Sequence, residues 1–301
     1  MTTGKTEARH EGGKGLDSLP PSEILRILAA GQQAAAHAVD SALPAIAEAS
    51  SLAAAALRAG GRLIYVGAGS SGLMAMADAL ELPGTYGIAK EQVVILIAGG
   101  NASLSDLAGG YEDDTDLARR DIEGVAPGSN DCVICASASG STPYAVAVAK
   151  IARDRGARVV AMANNAGAPL FDNADATILL ETPPEVVAGS TRMGAGTAQK
   201  IAFNMFSTLV GVKLGHVHDG HMVNLRADNI KLHARAARIV SDIAGIDAAA
   251  AAGLLDRAAG SVKVAILLAA GIEDRTTAER TLDESGQSLR RALERITTGD
   301  C

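Results

Sequence analysis

Arg62-Leu-Ile-Tyr-Val66 runs without interruption into Gly67-Ala-Gly-Ser-Ser-Gly72. A short, continuously apolar strand therefore ends in small residues and hydroxyls just where a helix begins. The pattern returns downstream, where Cys132-Val-Ile-Cys135 leads into Ser137-Ala-Ser-Gly-Ser-Thr142. Turns of this kind leave backbone N–H groups and hydroxyls facing the positive end of a helix, which makes them ready sites for a phosphate. Two of them on neighbouring strands would hold one phosphorylated small molecule between them.

Three further apolar runs have the same character: Val93-Val-Ile-Leu-Ile97, Val159-Val-Ala-Met162 and Ala176-Thr-Ile-Leu-Leu180. Continuous rather than alternating apolarity marks strands covered on both faces, as in a parallel sheet sandwiched by helices. Between them lie stretches of helical character at 72–82, 103–122, 143–155 and, more weakly, 168–173. The expected fold is α/β, a doubly wound five-stranded parallel sheet whose ligands bind at the carboxyl ends of the strands.

Ahead of it, residues 1–20 form a Gly-rich charged arm that, if ordered, would lie on a partner. Ser22–Gly31 and Gln32–Gly60 read as Ala-rich helices, with Ser22 as an N-cap and Gly60-Gly61 as a stop. Behind it come a helix from about Thr191 to Leu214, a break at 215–220, a helix to Ala244 and three short helices punctuated by Gly253, Gly260 and Gly271. The expected division is an N-terminal arm with helices over 1–60, the α/β domain over 61–220 and a small helical C-terminal region over 221–301.

Composition narrows the function. The 301 residues contain no Trp, three Phe and four Tyr, and carry a formal charge of −7. A base-stacking surface or a duplex-binding protein is thereby disfavoured, and no nucleic-acid partner is expected. Cys132 and Cys135 form a C-x-x-C, but an i, i+3 pair in a strand points to opposite faces, so they read as small buried residues. The polar N-terminus shows no secretory signal and no apolar stretch is long enough for a span, so a cytoplasmic location with no membrane partner is expected. His216-Val-His-Asp-Gly-His221 gathers three of the six histidines. Its spacing permits a metal site with Asp219, but a surface or interface loop is the preferred reading, with no metal and no cofactor.

Gly67-Ala-Gly-Ser-Ser-Gly72 also fits the spacing of a dinucleotide fingerprint. Serines fill its variable positions, however, and Leu96-Ile-Ala-Gly-Gly100 ends the second strand in glycines where a ribose would need an acid. Taken in order, the motifs instead resemble the sugar isomerase (SIS) domain superfamily and, within it, the N-acetylmuramic acid 6-phosphate etherase family. The matching pieces are the two serine turns, Asp78-Ala-Leu-Glu-Leu-Pro83 and Leu96-Ile-Ala-Gly-Gly100. To these are added Glu112-Asp113, Glu185-Val-Val187, Arg192-Met193 and Ala195-Gly-Thr-Ala-Gln-Lys200, then Asn229, Lys231-Leu232 and Arg235.

The resemblance implies removal of the D-lactyl ether from C3 of a 6-phosphorylated N-acetylamino sugar by elimination and rehydration. It assigns Glu81 to protonate the leaving oxygen and Glu112 to take the C2 proton. Two carboxylates in unlike environments suit that division, because their pKa values can be pushed apart. For the phosphate it points to Ser70, Ser71, Ser137, Ser139 and Thr142 with the backbone of Gly140; a plain polar helix cap would use the same atoms. Arg192, Lys200, Arg226 and Lys231 are the cations that remain, Arg192 and Lys231 being the ones expected at the substrate and Arg226 a compensating charge. Leu73, Ser141 and Gly194 stand where the family carries basic residues, and His10 and Gly13 where its arm has Asn and Ser. It further implies a homodimer with the site near the subunit boundary. A sugar-phosphate isomerase and a non-catalytic sugar-phosphate sensor are the competing readings on the same fold.

Overall fold

The structure is a computed structural model describing residues 4–107, 109–225 and 230–298, the side chains of Ile230 and Lys231 excepted. The chain divides into two compact units, one comprising the described residues through Ala79 with Glu91–Thr208, the other Leu80–Lys90 with the described residues from Leu209 onward.

The first unit holds the sheet. Strands β1 (Leu63–Gly67), β2 (Val93–Ile97), β3 (Cys132–Ser137), β4 (Arg158–Ala163) and β5 (Ala176–Leu179) lie in the order β2-β1-β3-β4-β5, every pairing parallel. The chain leaves β1 toward β2 on one side and returns to β3 on the other. The crevice where strand order reverses thus opens between the carboxyl ends of β1 and β3. In register, Gly67 faces Ala136, so the two serine turns emerge side by side from this crevice.

Alternate side chains of the central strands feed two cores. Ile64, Val66, Val133, Cys135 and Val159 pack with α5 (Thr115–Val125) and α6 (Pro143–Asp154), where Ile122, Tyr144 and Val148 are fully buried. Tyr65 points the other way, its ring 5.9 Å from Phe203 and 6.5 Å from Phe206 on α7 (Gly194–Lys213). Its hydroxyl donates to buried Asp78, which also accepts from Asn204 and Ser207 at 2.9 and 2.8 Å. That face is completed by α1 (Pro21–His37) and α2 (Leu43–Arg58), with Ser50 of α2 donating to the Phe206 carbonyl. Cys132 and Cys135 are buried free thiols, and burial pushes Cys132 up to about 12. Both strand thiols are thus unreactive.

Several boundaries move from the sequence expectation. One continuous α1 replaces the break at Gly31, because a Cβ there would come 3.0 Å from the Val186 side chain: this glycine permits close packing rather than ending a helix. Its start is set by Pro20 and Pro21, with Ser22 making no cap bond, since proline pre-sets φ for the first helical residue. The stop at Gly60-Gly61 holds, with Gly60 left-handed at φ +75°. The span 103–122 is instead a 3-10 turn over Gly100–Leu104, the short α4 (Gly110–Asp113) and α5, which Asp114 caps through the Leu117 N–H. The N-terminal arm packs against its own chain. Its turns at Lys5–Glu7, Glu11–Gly13 and Leu16–Ser18 lie on the first unit, Thr6 being 4% exposed and Lys5 paired with Glu181.

In the second unit, α3 (Gly69–Tyr86), which begins in the first, continues past Pro83 and ends where Asn224 donates to the Tyr86 carbonyl. The expected break at 215–220 contains a hairpin of β6 (Val217–His218) and β7 (His221–Met222). Asp219 and Gly220 both have positive φ, as a tight hairpin turn demands. Then follow α8 (Ile230–Ala244), α9 (Ala248–Arg257), α10 (Val262–Ala269), α11 (Arg275–Glu284) and α12 (Leu289–Thr298). Four helices after residue 246 replace the three expected, because Gly253 sits within α9 while Ser285–Ser288 opens an additional turn. α10 is the centre of this unit's core, buried from Val262 to Leu268. Among the described residues no helix is long and apolar enough to cross a membrane.

Candidate active site

The first turn is built by close approach. A Cβ on Gly67 would fall 2.8 Å from the backbone of Gly72, and the Gly72 N–H donates to the Ala68 carbonyl, so strand and helix meet almost without a linker. Ser70 and Ser71 lie in the opening turn of α3, Ser70 half-buried and Ser71 buried, at the positive end of the helix dipole. Gly69 has φ +52°, and a Cβ built on it would come 2.5 Å from Glu112 Oε1. The glycine thereby admits the Glu112 carboxyl to the first turn.

Glu112 is delivered from α4. Its neighbour Tyr111 lies over Gly99, beyond the carboxyl end of β2, where a Cβ would meet the ring at 2.5 Å and φ is +86°. Glu112 is half-buried, and burial, with the adjacent Asp113 carboxylate adding to it, holds its pKa above the ordinary glutamate range. A carboxylate lifted toward neutrality is a stronger general base.

The second turn is a connected hydroxyl network. Ser137 Oγ accepts from the Gly140 N–H at 3.0 Å and shares bonds with Thr142 Oγ1 at 2.7 Å and Ser139 Oγ at 3.3 Å. Ser139 Oγ in turn accepts from the Ser141 N–H and hydroxyl at 3.2 and 3.1 Å. Thr142 occupies the N-cap position of α6, yet its side chain makes no cap bond. The Thr142 hydroxyl is thus bonded to Ser137 within the turn and not to the end of α6. At α7 the opposite holds. Buried Glu185 accepts from the Gly194 and Ala195 N–H groups at 2.9 and 2.8 Å, so the protein's own carboxyl fills that helix end.

The other expected residues are placed as follows. Glu81 is exposed, in the part of α3 belonging to the second unit. Arg192 is exposed in the turn entering α7. Lys231 begins α8, its side chain outside the described residues, as are Arg226 and Asn229. Among the described residues no group of three or more His, Cys, Asp or Glu could hold a metal ion. In the histidine segment, His218 lies 3.5 Å from Asp219, which also pairs with Arg290. Sequence reading missed Asn165, which follows β4 and bonds to the Ser139 carbonyl at 3.2 Å. Its only signal was a polar pair, Asn164-Asn165, at the carboxyl end of a strand.

Residues 28–164 and 126–219 each match a SIS domain family. The N-acetylmuramic acid 6-phosphate etherase of Deinococcus radiodurans is 42% identical over 96% of this chain and 95% of its own length. The chain belongs to the N-acetylmuramic acid 6-phosphate etherase family. The etherase of Geobacillus thermodenitrificans is likewise 42% identical, over 96% of this chain and 98% of its own. Among solved structures, a phosphoheptose isomerase from Francisella tularensis gives a TM-score of 0.46 at 18% identity, covering 64% of this chain and 96% of that one. Membership in the etherase family makes this chain a lyase. The doubly wound sheet read from the apolar runs is the observed one.

Proposed function

We propose that the enzyme cleaves the C3 lactyl ether of N-acetylmuramic acid 6-phosphate, giving N-acetylglucosamine 6-phosphate and lactate. The observation that carries this reading is the juxtaposition at one sheet edge of two serine turns and a pKa-raised carboxyl. The phosphate sits between Ser70 and Ser71 of the first turn and Ser137, Ser139, Thr142 and the Gly140 backbone of the second. It accepts hydrogen bonds from hydroxyls and from helix-terminal N–H groups. Anchored there, the open-chain sugar presents C2 to Glu112. Glu112 takes the C2 proton, the electron pair forms the C2–C3 double bond, and the C3–O bond breaks as Glu81 donates its proton to the departing lactyl oxygen. Water then adds at C3, giving one proton back to Glu81 while Glu112 returns its own to C2. Arg192 and Lys231 supply positive charge for the lactyl carboxylate.

A second copy of the chain belongs to the same proposal. Glu81 stands beside Leu80, which is 64% exposed, an apolar surface suited to being covered in a homodimer. The deciding experiment is turnover of N-acetylmuramic acid 6-phosphate in heavy-oxygen water. Lactate release with label at C3 of the sugar product supports the scheme, while product without label at C3 refutes the elimination. Glu81→Ala is expected to abolish lactate release while leaving direct binding of inorganic phosphate, measured by calorimetry, nearly intact; wild-type turnover would remove Glu81 from its role.

A further inference from the structure

The N-terminal arm contributes no group to the chemistry above, yet its one buried described residue, Thr6, reaches the phosphate turn through a single side chain. Asn165 Nδ2 donates to Thr6 Oγ1 at 2.9 Å and to the Ser139 carbonyl at 3.2 Å, while Asn165 Oδ1 accepts from the Thr6 N–H at 3.3 Å. Both amide hydrogens and the amide oxygen are thus engaged between arm and turn. The fit is close, since a Cβ on Gly4 would fall 2.6 Å from Asn165 Nδ2.

The Ser139 carbonyl and the Gly140 N–H are opposite ends of one planar peptide group. Asn165 holds the oxygen end, and Ser137 Oγ receives the nitrogen end at 3.0 Å. Gly140 has φ +71°, a conformation that glycine enters and leaves freely, so rotation of this peptide is the soft motion of the turn. Such a rotation would pull the Gly140 N–H off Ser137 Oγ, freeing the hydroxyl network of the turn, and swing a carbonyl oxygen toward the place where an anion would sit.

We propose that Asn165 and Thr6 are positioning residues that lock this peptide, making the N-terminal arm a brace for phosphate binding. The proposal rests on the reading that the Ser137–Thr142 turn holds the phosphate, and its test keeps the two separable. In lactate-release assays of the full chain, inorganic phosphate serves as competitor. Asn165→Ala and Thr6→Val are each expected to raise the phosphate inhibition constant and the substrate KM roughly tenfold, with a much smaller fall in kcat. Thr6→Ser, which keeps the hydroxyl, restores both values. The double variant Thr6→Val/Asn165→Ala is no weaker than Asn165→Ala alone, because the two act as one unit. If phosphate inhibition is unchanged in Asn165→Ala and Thr6→Val but weakened in Ser139→Ala and Thr142→Val, the brace is overturned and the phosphate turn stands. Should all four variants bind phosphate like the parent, the phosphate turn itself is refuted and the brace falls with it. Urea midpoints accompany each measurement. A variant that loses stability without weakening phosphate counts against the proposal, and Thr6→Val carries the test if Asn165→Ala does not fold.

Discussion

Replacing Gly69 by alanine separates the placement of Glu112 from every other property of the first turn. Two effects add at this position. The backbone has φ +52°, which costs a residue bearing Cβ about 1 kcal/mol or somewhat more. The new methyl also arrives 2.5 Å from Glu112 Oε1, whereas ordinary contact begins at 3.4 Å, so the carboxyl must retreat by about 0.9 Å. The obstacle is the end of a flexible side chain, and the retreat adds little to the loss of stability. For a proton-transferring group the same distance is severe, since a displacement near 1 Å lowers turnover by up to about a hundredfold. Gly60→Ala is the matched control: its φ is +75° and nothing lies within 4 Å of the added Cβ. Both variants are expected to lose about 1 kcal/mol in urea unfolding. Only Gly69→Ala is expected to lose turnover, by roughly ten- to a hundredfold, with phosphate inhibition nearly unchanged. Wild-type kcat in Gly69→Ala, or equal losses in the two variants, would refute the placement of Glu112 as the working base.

Other consequences are equally direct. Asp113→Asn removes the charge that adds to the elevation of Glu112, so the acidic limb of kcat/KM is expected to move to lower pH; a limb that stays in place or moves up counts against Glu112 as the base. Lys263, 2% exposed and bonded to the Gln287 carbonyl, is lowered by burial to about 8 from 10.5. Between these values the unfolded chain binds the extra proton, so stability rises with pH across pH 8–10.5, by roughly 3 kcal/mol in all. Lys263→Met should abolish that slope and raise the urea midpoint at pH 7, and an unchanged slope would rule out this lysine as its source. Gly140→Ala puts a methyl 2.3 Å from Ala168 Cβ at φ +71°, and a loss of roughly 2–4 kcal/mol with weakened phosphate inhibition is expected in unfolding and competition assays.

The five strands were legible because a sheet covered on both faces leaves runs such as Val93–Ile97 with no polar alternation to confuse them. The two serine turns were equally plain, since glycines and hydroxyls at the ends of β1 and β3 have few other uses. What escaped was set by partners distant in sequence. Gly31 reads as a helix stop until Val186 is seen against it, and Pro83 reads as an end until Asn224 is found on the Tyr86 carbonyl. Glu112 opens an acidic run that resembles a solvated face. Only the approach of Tyr111 to Gly99 and of the carboxyl to Gly69 distinguishes it. Asn165 and the arm were unreadable for the same reason, because a threonine near the N-terminus carries no local sign of the amide that holds it.

The crevice between β1 and β3 also has a kinetic side. Its two walls are far apart in sequence, with all of β2 and α3–α5 between them, so the seat proposed for the phosphate does not exist until that long loop has closed. Parallel pairings of this kind form slowly, since chain entropy is lost before any contact compensates it. Any anion that fits the seat therefore recognises only chains that have completed their central sheet, and it stabilises them by mass action over every partly folded form. On the proposed reading, the substrate would therefore double as a late folding ligand, acting on the chain before it is acted upon.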